Sequence, residues 1–231
     1  FGRHTKTSWG PLISNRIAWF VMELPALIIM PMLALAGGVN IVVLVLAGLW
    51  TAHYFNRACV FPFRIRTAGK KMPLVICLMA FGFNLFNGFL CGYYIGSDFG
   101  NGLGNGAQYD LTYFMRPHFI IGILVFCGGA LLNIYSDNIL INLRKKSTDT
   151  GQKEYVIPTA GPFRYVSCPN LLGEIIEWCG FAIMTIAFPF FAFALWTIAN
   201  LLPRALSHHK WYHSKFPDYP PKRKAIIPFI L

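Results

Sequence analysis

The sequence predicts an all-α fold, a polytopic membrane helix bundle. Three observations carry that expectation. The 231 residues are 55% hydrophobic and only 13% charged, about half the charged share of an ordinary soluble domain, roughly 25%. Mean hydropathy is +0.51. The basic residues, finally, are not scattered but gathered at every second connection between apolar runs.

Six apolar runs are legible, at Ile17–Leu35, Val39–Tyr54, Pro73–Ile95, Pro117–Leu140, Leu171–Ile186 and Phe188–Leu202. The first four reach or approach the ~20 residues that a helical crossing needs. The last two meet at Pro189 and read either as two spans or as one long run. Charge favours six. Arg3, Lys6 and Arg16 precede the first run, and Arg57, Arg64, Arg66, Lys70 and Lys71 follow the second. Arg144, Lys145, Lys146, Lys153 and Arg164 follow the fourth; Arg204, Lys210, Lys215, Lys222, Arg223 and Lys224 follow the sixth. Those are 19 of the 20 Lys and Arg residues, leaving Arg116 alone on the other side. By the positive-inside rule the basic segments are cytosolic. The net charge of +11 is thereby explained by topology and by attraction for anionic ligands, and nucleic acid is not an expected partner.

One membrane-embedded domain, residues 1–231, is expected, acting as a monomer among membrane lipids. The chain begins at Phe1 and reads as part of a longer product. Residues 97–112, rich in Gly and Asn, read as an exoplasmic loop. Residues 144–168 mix basic, aromatic, Gly and Pro residues and read as an ordered cytosolic loop, since a connection this long is usually functional or disordered. The six cysteines show no CxxC pair and read as small buried apolar residues.

Four of the nine carboxylates, Glu23, Asp137, Glu174 and Glu177, lie inside the apolar runs. Acids at bilayer depth are costly and usually face a cavity that does something. Asn170, Glu174 and Glu177 stand at i, i+4 and i+7, on one helical face. Asn133 and Asp137 are i, i+4, with Arg144 seven residues on. Arg204, His208 and Tyr212 repeat every four residues if the last helix continues past the membrane. Trp19 and Glu23 are i, i+4 in the first run, and Tyr54 closes the second. Any one of these has a plain reading, as an interhelical hydrogen bond or a snorkelling arginine. Three aligned stripes at one membrane face instead predict a cavity open to the cytosol.

Amides and carboxylates suit ribose hydroxyl and ring-nitrogen groups, and arginines at the rim suit phosphates. A nucleotide-like cofactor fits, although neither a GxGxxG after a strand nor a Walker sequence is present. His208, His209 and His213 form one cluster. A metal is conceivable there, but phosphate contact for His208 and solvation for the other two are expected, with no metal.

The stretches Ala18-Trp-Phe-Val-Met-Glu-Leu-Pro25, His53-Tyr-Phe-Asn-Arg57, Asn133-Ile-Tyr-Ser-Asp137, Asn170-Leu-Leu-Gly-Glu-Ile-Ile-Glu-Trp178 and Lys222-Arg-Lys-Ala-Ile-Ile-Pro-Phe229 together resemble the steroid 5α-reductase family over nearly the whole chain. The resemblance implies seven spans in the full fold, the first lying before Phe1. It implies NADPH-dependent reduction of the 4,5 double bond of 3-oxo-Δ4-steroids. Glu23 and Tyr54 would be the catalytic pair on the 3-oxo group, with Trp19 also lining the substrate. Asn133, Asp137, Arg144, Tyr155, Asn170, Glu174, Arg204, His208 and Tyr212 would hold NADPH. Arg66, Arg144 and the neighbouring lysines are candidate partners for its 2′-phosphate. One departure is Met22, where mammalian members carry Gln. The rival readings are reduction of another lipid enone, methyl transfer from S-adenosylmethionine, and proton-coupled transport.

Overall fold

The computed structural model describes residues 9–65, 69–99, 110–149 and 156–231. Two compact units make up the chain, Phe1–Met115 and Arg116–Leu231.

The first unit opens with β1 (Leu12–Ser14), which leads into helix α1 (Asn15–Ala36). Helix α2 (Ile41–Phe55) starts at Asn40, whose side chain accepts a hydrogen bond from the Val43 amide at 2.9 Å. That bond satisfies one of the orphan donors of a helix start. A π-helical turn at Asn56–Val60 carries α2 directly into α3 (Phe61–Arg64). Next come β2 (Lys71–Pro73) and α4 (Leu74–Tyr94), the latter ending in a second π turn at Ile95–Phe99. Strands β1 and β2 pair antiparallel, Leu12 opposite Pro73 and Ser14 opposite Lys71. This ribbon ties together the starts of α1 and α4.

Helices α1 and α4 run parallel in close contact. Gly88 approaches Ala26 and Ile29, Gly92 approaches Met30 and Leu33, and Gly96 approaches Leu33 and Gly37. Four-residue spacing puts Gly88 and Gly92 on one face of α4, with Gly96 following in the π turn, the small-residue arrangement that lets backbones touch in lipid. A Cβ on Gly92 would stand 2.6 Å from the Met30 carbonyl oxygen. Parallel α1 and α4 are what the charge pattern requires, because the first and third spans cross in the same direction.

The second unit holds α5 (Pro117–Asp149), α6 (Pro169–Thr185) and α7 (Phe188–Lys215). The two apolar runs that meet at Pro189 are separate helices. Between them Ile186 takes a left-handed conformation, φ 45°, and the Phe188-Pro189 start of α7 suits a first turn, where proline costs nothing.

Helices α5 and α6 are antiparallel and packed backbone to backbone. Gly122 meets Met184 and Gly180, Gly180 meets Phe126, Gly129 meets Glu177 and Gly173, and Gly173 meets Asn133. Both helices carry their glycines seven residues apart. A Cβ on Gly129 would stand 2.7 Å from both the Glu177 Cα and the Gly173 carbonyl oxygen, whereas one on neighbouring Gly128 meets nothing within 4 Å.

Five described helical segments are long and apolar enough to cross a membrane: Asn15–Ala36, Ile41–Arg64, Leu74–Ser97, Pro117–Arg144 and Phe188–Lys215. The protein is an integral, multi-pass membrane protein. The 17-residue α6 is shorter, about 25 Å at 1.5 Å per residue. Phe188, Met79, Leu124 and Leu195 are among many large apolar side chains left exposed, as expected where lipid replaces water.

Gly129→Ala is expected to destabilise the folded protein by about 2 kcal/mol or more through overpacking. Gly128→Ala should be neutral or slightly stabilising, since alanine favours a helix over glycine by up to about 1 kcal/mol. Unfolding midpoints of the two purified variants in detergent check the contrast.

Candidate active-site residues

In the first unit, α1 presents its carbonyl groups to side chains of both neighbours. The Cys77 thiol of α4 reaches the Ala18 carbonyl oxygen at 3.6 Å. Asn84 Nδ2 of α4 donates to the Met22 carbonyl oxygen at 2.6 Å, and Trp50 Nε1 of α2 donates to that of Ala26 at 2.8 Å. Ala18, Met22 and Ala26 are four residues apart, so one row of α1 carbonyls accepts all three. Glu23 lies beside this row, half-buried. Its carboxyl accepts a second bond from Asn84 Nδ2, Oε2 at 3.1 Å. The Met22 side chain turns into a core cluster with Ala18, Met72 and Cys77.

Tyr54 is 3% exposed. Its ring packs against Trp50, centroids 5.0 Å apart, and edge-on against His53 at 5.1 Å. The π turn begins two residues later. Such single-turn π segments recur at functional sites because they re-aim side chains. Here the turn carries Arg57, whose guanidinium carbon lies 4.7 Å from the Trp19 ring centroid and 5.0 Å from that of Phe61. Trp19, one turn before Glu23, is thus held by Arg57 and by Phe61, whose ring is edge-on at 5.5 Å. Trp19, Glu23 and Tyr54 all belong to this unit. Asn84 and Arg57 join them, as residues whose side chains hold predicted site residues.

In the second unit the α5–α6 register aligns the polar stripes. Asn133 Nδ2 donates to the Asn170 carbonyl oxygen at 2.9 Å, and Asn170 Nδ2 donates to Asp137 Oδ1 at 3.0 Å. Asn133 and Asp137 are 3% and 9% exposed. Glu174 is half-buried one turn after Asn170, and Glu177 is 2% exposed against the Gly129 backbone. The stripe Arg204, His208, Tyr212 lies on α7, which continues as one helix to Lys215. The first two are half-buried and Tyr212 is buried, stacked on Tyr219 with ring centroids 5.2 Å apart. Arg144 is exposed near the end of α5. Tyr155 and Arg66 lie outside the described residues, as does most of the Gly/Asn-rich loop.

The connection into α6 is organised by the C-terminal tail. Val166 bridges to Lys224 in parallel, with the Ser167 and Cys168 amides donating to the Lys224 and Ala225 carbonyl oxygens at 2.8 and 3.1 Å. The Ser167 hydroxyl sits at the hub. It hydrogen-bonds His209 Nδ1 at 2.7 Å, the Tyr219 hydroxyl at 2.6 Å and the Lys224 carbonyl oxygen at 3.1 Å. Arg223, 5% exposed, donates to the Pro158 carbonyl oxygen at 3.0 Å and lies over the Tyr219 ring. His209 is therefore a structural partner of Ser167 rather than a solvated interfacial group. Of the 144–168 segment read as a loop, residues 144–149 instead continue α5. Residues 150–155 lie outside the described residues, and the part from 156 is held by these contacts to the tail. Among the described residues no three His, Cys, Asp or Glu side chains are grouped to hold a metal ion.

Comparison with known proteins decides the family. The family model described as 3-oxo-5-alpha-steroid 4-dehydrogenase matches residues 70–231. The chain belongs to this family. It is 41% identical over its whole length to steroid 5-alpha-reductase DET2 of Arabidopsis thaliana, covering 87% of that protein. It is also 40% identical to 3-oxo-5-alpha-steroid 4-dehydrogenase 1 of Bos taurus and of Homo sapiens, covering 87% and 85% of those chains and again all of this one. As a member of the 3-oxo-5-alpha-steroid 4-dehydrogenase family it is an enzyme, an oxidoreductase. That class of chemistry is consistent with a nicotinamide cofactor.

Ser167→Ala removes the hub of the tail contact. Trypsin is expected to cut at Lys222–Lys224 at least about fivefold faster in this variant, because cleavage follows the population of the locally opened state. Fragment mapping on the folded protein checks it.

Proposed function

We propose that the protein uses NADPH to reduce the 4,5 double bond of 3-oxo-Δ4-steroids, with Glu23 and Tyr54 acting on the 3-oxo group. The single observation that carries this reading is the full-length identity of about 40% to steroid 5-alpha-reductases. The placement of a buried tyrosine and an intramembrane acid in one unit supports it.

The α5–α6 wall supports a nucleotide as the cofactor. Asn133, Asp137, Asn170 and Glu174 gather amide and carboxylate oxygens of the kind that pair with ribose hydroxyls and amide donors. Arg204, His208 and Tyr212 follow at four-residue spacing on α7, and Arg144 ends the membrane part of α5. A guanidinium suits phosphate because its planar fork donates to two oxygens at once. These residues would hold NADPH, which supplies a hydride equivalent when bound.

Reduction of an enone adds hydride at C5 while negative charge builds on the 3-oxo oxygen; a proton at C4 completes the product. The protein's task is to stabilise that oxygen. The Tyr54 phenol carries an O–H that can donate to the oxygen. Glu23, in its protonated form, can donate as well or orient Tyr54. One donor aimed at a developing oxyanion is worth about 10²–10³ in rate. An apolar, lipid-facing fold suits an oily substrate arriving from the bilayer.

Tyr54→Phe is expected to lose at least about tenfold in turnover while keeping its apparent affinity for NADPH. Nucleotide oxidation with testosterone or progesterone, with the product identified, checks it. Wild-type turnover would remove Tyr54 from the mechanism. Glu174→Ala and Arg204→Ala should each raise the KM for NADPH by about tenfold, the cost of one charge-assisted contact. An unchanged KM in both would overturn the assigned cofactor wall.

A further inference from the structure

We infer that Asn84 of α4 is a positioning residue for Glu23, fixing which of its two carboxyl oxygens faces the reaction. The inference rests on Glu23 acting at the substrate carbonyl, as proposed above. Asn84 is 7% exposed, in the middle of an apolar helix. Its Nδ2 lies 2.6 Å from the Met22 carbonyl oxygen and 3.1 Å from Glu23 Oε2. A carbonyl oxygen only accepts, so the amide cannot be turned the other way without setting two oxygens against each other. The group facing Glu23 is therefore an N–H donor.

The consequence for the acid is specific. An oxygen that accepts from Asn84 cannot be the one carrying the proton toward Asn84. When Glu23 is protonated, its carbonyl-type oxygen is the better acceptor, so the contact with Asn84 favours Oε2 in that role and the proton on Oε1. Asn84 thus distinguishes the two oxygens of the carboxyl and favours one of them as the donor. Both amide hydrogens are used in doing so, one on the α1 backbone and one on the acid. The backbone bond is what makes the amide rigid: it ties Asn84 to the residue immediately before Glu23, so amide and acid keep their relation if α1 shifts.

A structural role for Asn84 alone would tie α4 to α1 through Met22 and leave turnover untouched. Asn84→Ser separates the two roles. In apolar helices of this protein hydroxyls bond back to their own helix, as Thr185 does to Phe181 at 3.1 Å and Thr197 to Phe193 at 2.9 Å. A serine at 84 is expected to do the same and so release Glu23. Asn84→Leu serves as a second variant of similar volume with no donor at all.

The experiment uses the purified full chain with NADPH and progesterone. Asn84→Ser and Asn84→Leu are expected to lower kcat by about tenfold, with KM for NADPH within about twofold of wild type. Placed on a Glu23→Gln background, either change should cost less than about twofold further, since contacting residues of one unit are not additive. In infrared difference spectra, the carbonyl stretch lost in Glu23→Gln should move to higher wavenumber in Asn84→Ser, as it does when a carboxyl loses a hydrogen bond. Wild-type kcat in both variants, or a full tenfold loss that persists on the Glu23→Gln background, overturns the role of Asn84. The first of these results together with a strong loss in Glu23→Gln alone overturns only Asn84. Wild-type kcat in Glu23→Gln overturns the reading of Glu23 and this inference with it.

Discussion

Backbone-to-backbone contact between α5 and α6 decides where the polar groups of the second unit lie. In lipid there is no hydrophobic force to bring two apolar helices together, so close packing and hydrogen bonds must do it. Gly122, Gly129, Gly173 and Gly180 remove the side chains that would hold the helices apart. The register they fix sets Asn133 beside Gly173 and, one turn on, brings Asn170 to Asp137. Shifted by one residue, the same helices would turn these amides and acids toward different neighbours. The α1–α4 contact in the first unit follows the same logic with four-residue spacing, and it delivers Asn84 to Glu23.

Much of this was legible before any coordinates. Apolar length and the alternation of basic segments placed the helices, because both follow from the thickness and the electrostatics of a bilayer. The i, i+4 stripes named Glu23, Asn133, Asp137, Asn170 and Glu174, because an acid or amide at bilayer depth stands out against an apolar background. Where two apolar runs met at Pro189 periodicity could not choose between one helix and two. A left-handed Ile186 makes the break, and no residue preference marks an isoleucine for that conformation.

The residues that escaped the sequence reading share a cause. Asn84 is as conspicuous in its span as Asp137, and Asn87 stands at i+3 on the same face, but the span carries no acid or base and so announces no site. Its meaning comes from Glu23, which lies 61 positions earlier in the chain. Arg57 read as a topological charge, and only the π turn shows it over the Trp19 ring. Ser167, His209, Tyr219 and Arg223 form one network from three separated stretches, and nothing in their spacing announces it. Local pattern finds faces of single elements, whereas a network across elements depends on pairings that only the fold supplies.

The 61-residue separation between Glu23 and Asn84 also has a meaning in time. A ribosome adding about 5–20 residues per second takes roughly 3–12 s to make that much chain. During that interval α1 exists with its intramembrane acid while α4 is not yet synthesised. A neutral, protonated carboxyl is the form least costly to hold in lipid meanwhile. The form that costs least to hold before α4 arrives is also the form that the proposed mechanism would use.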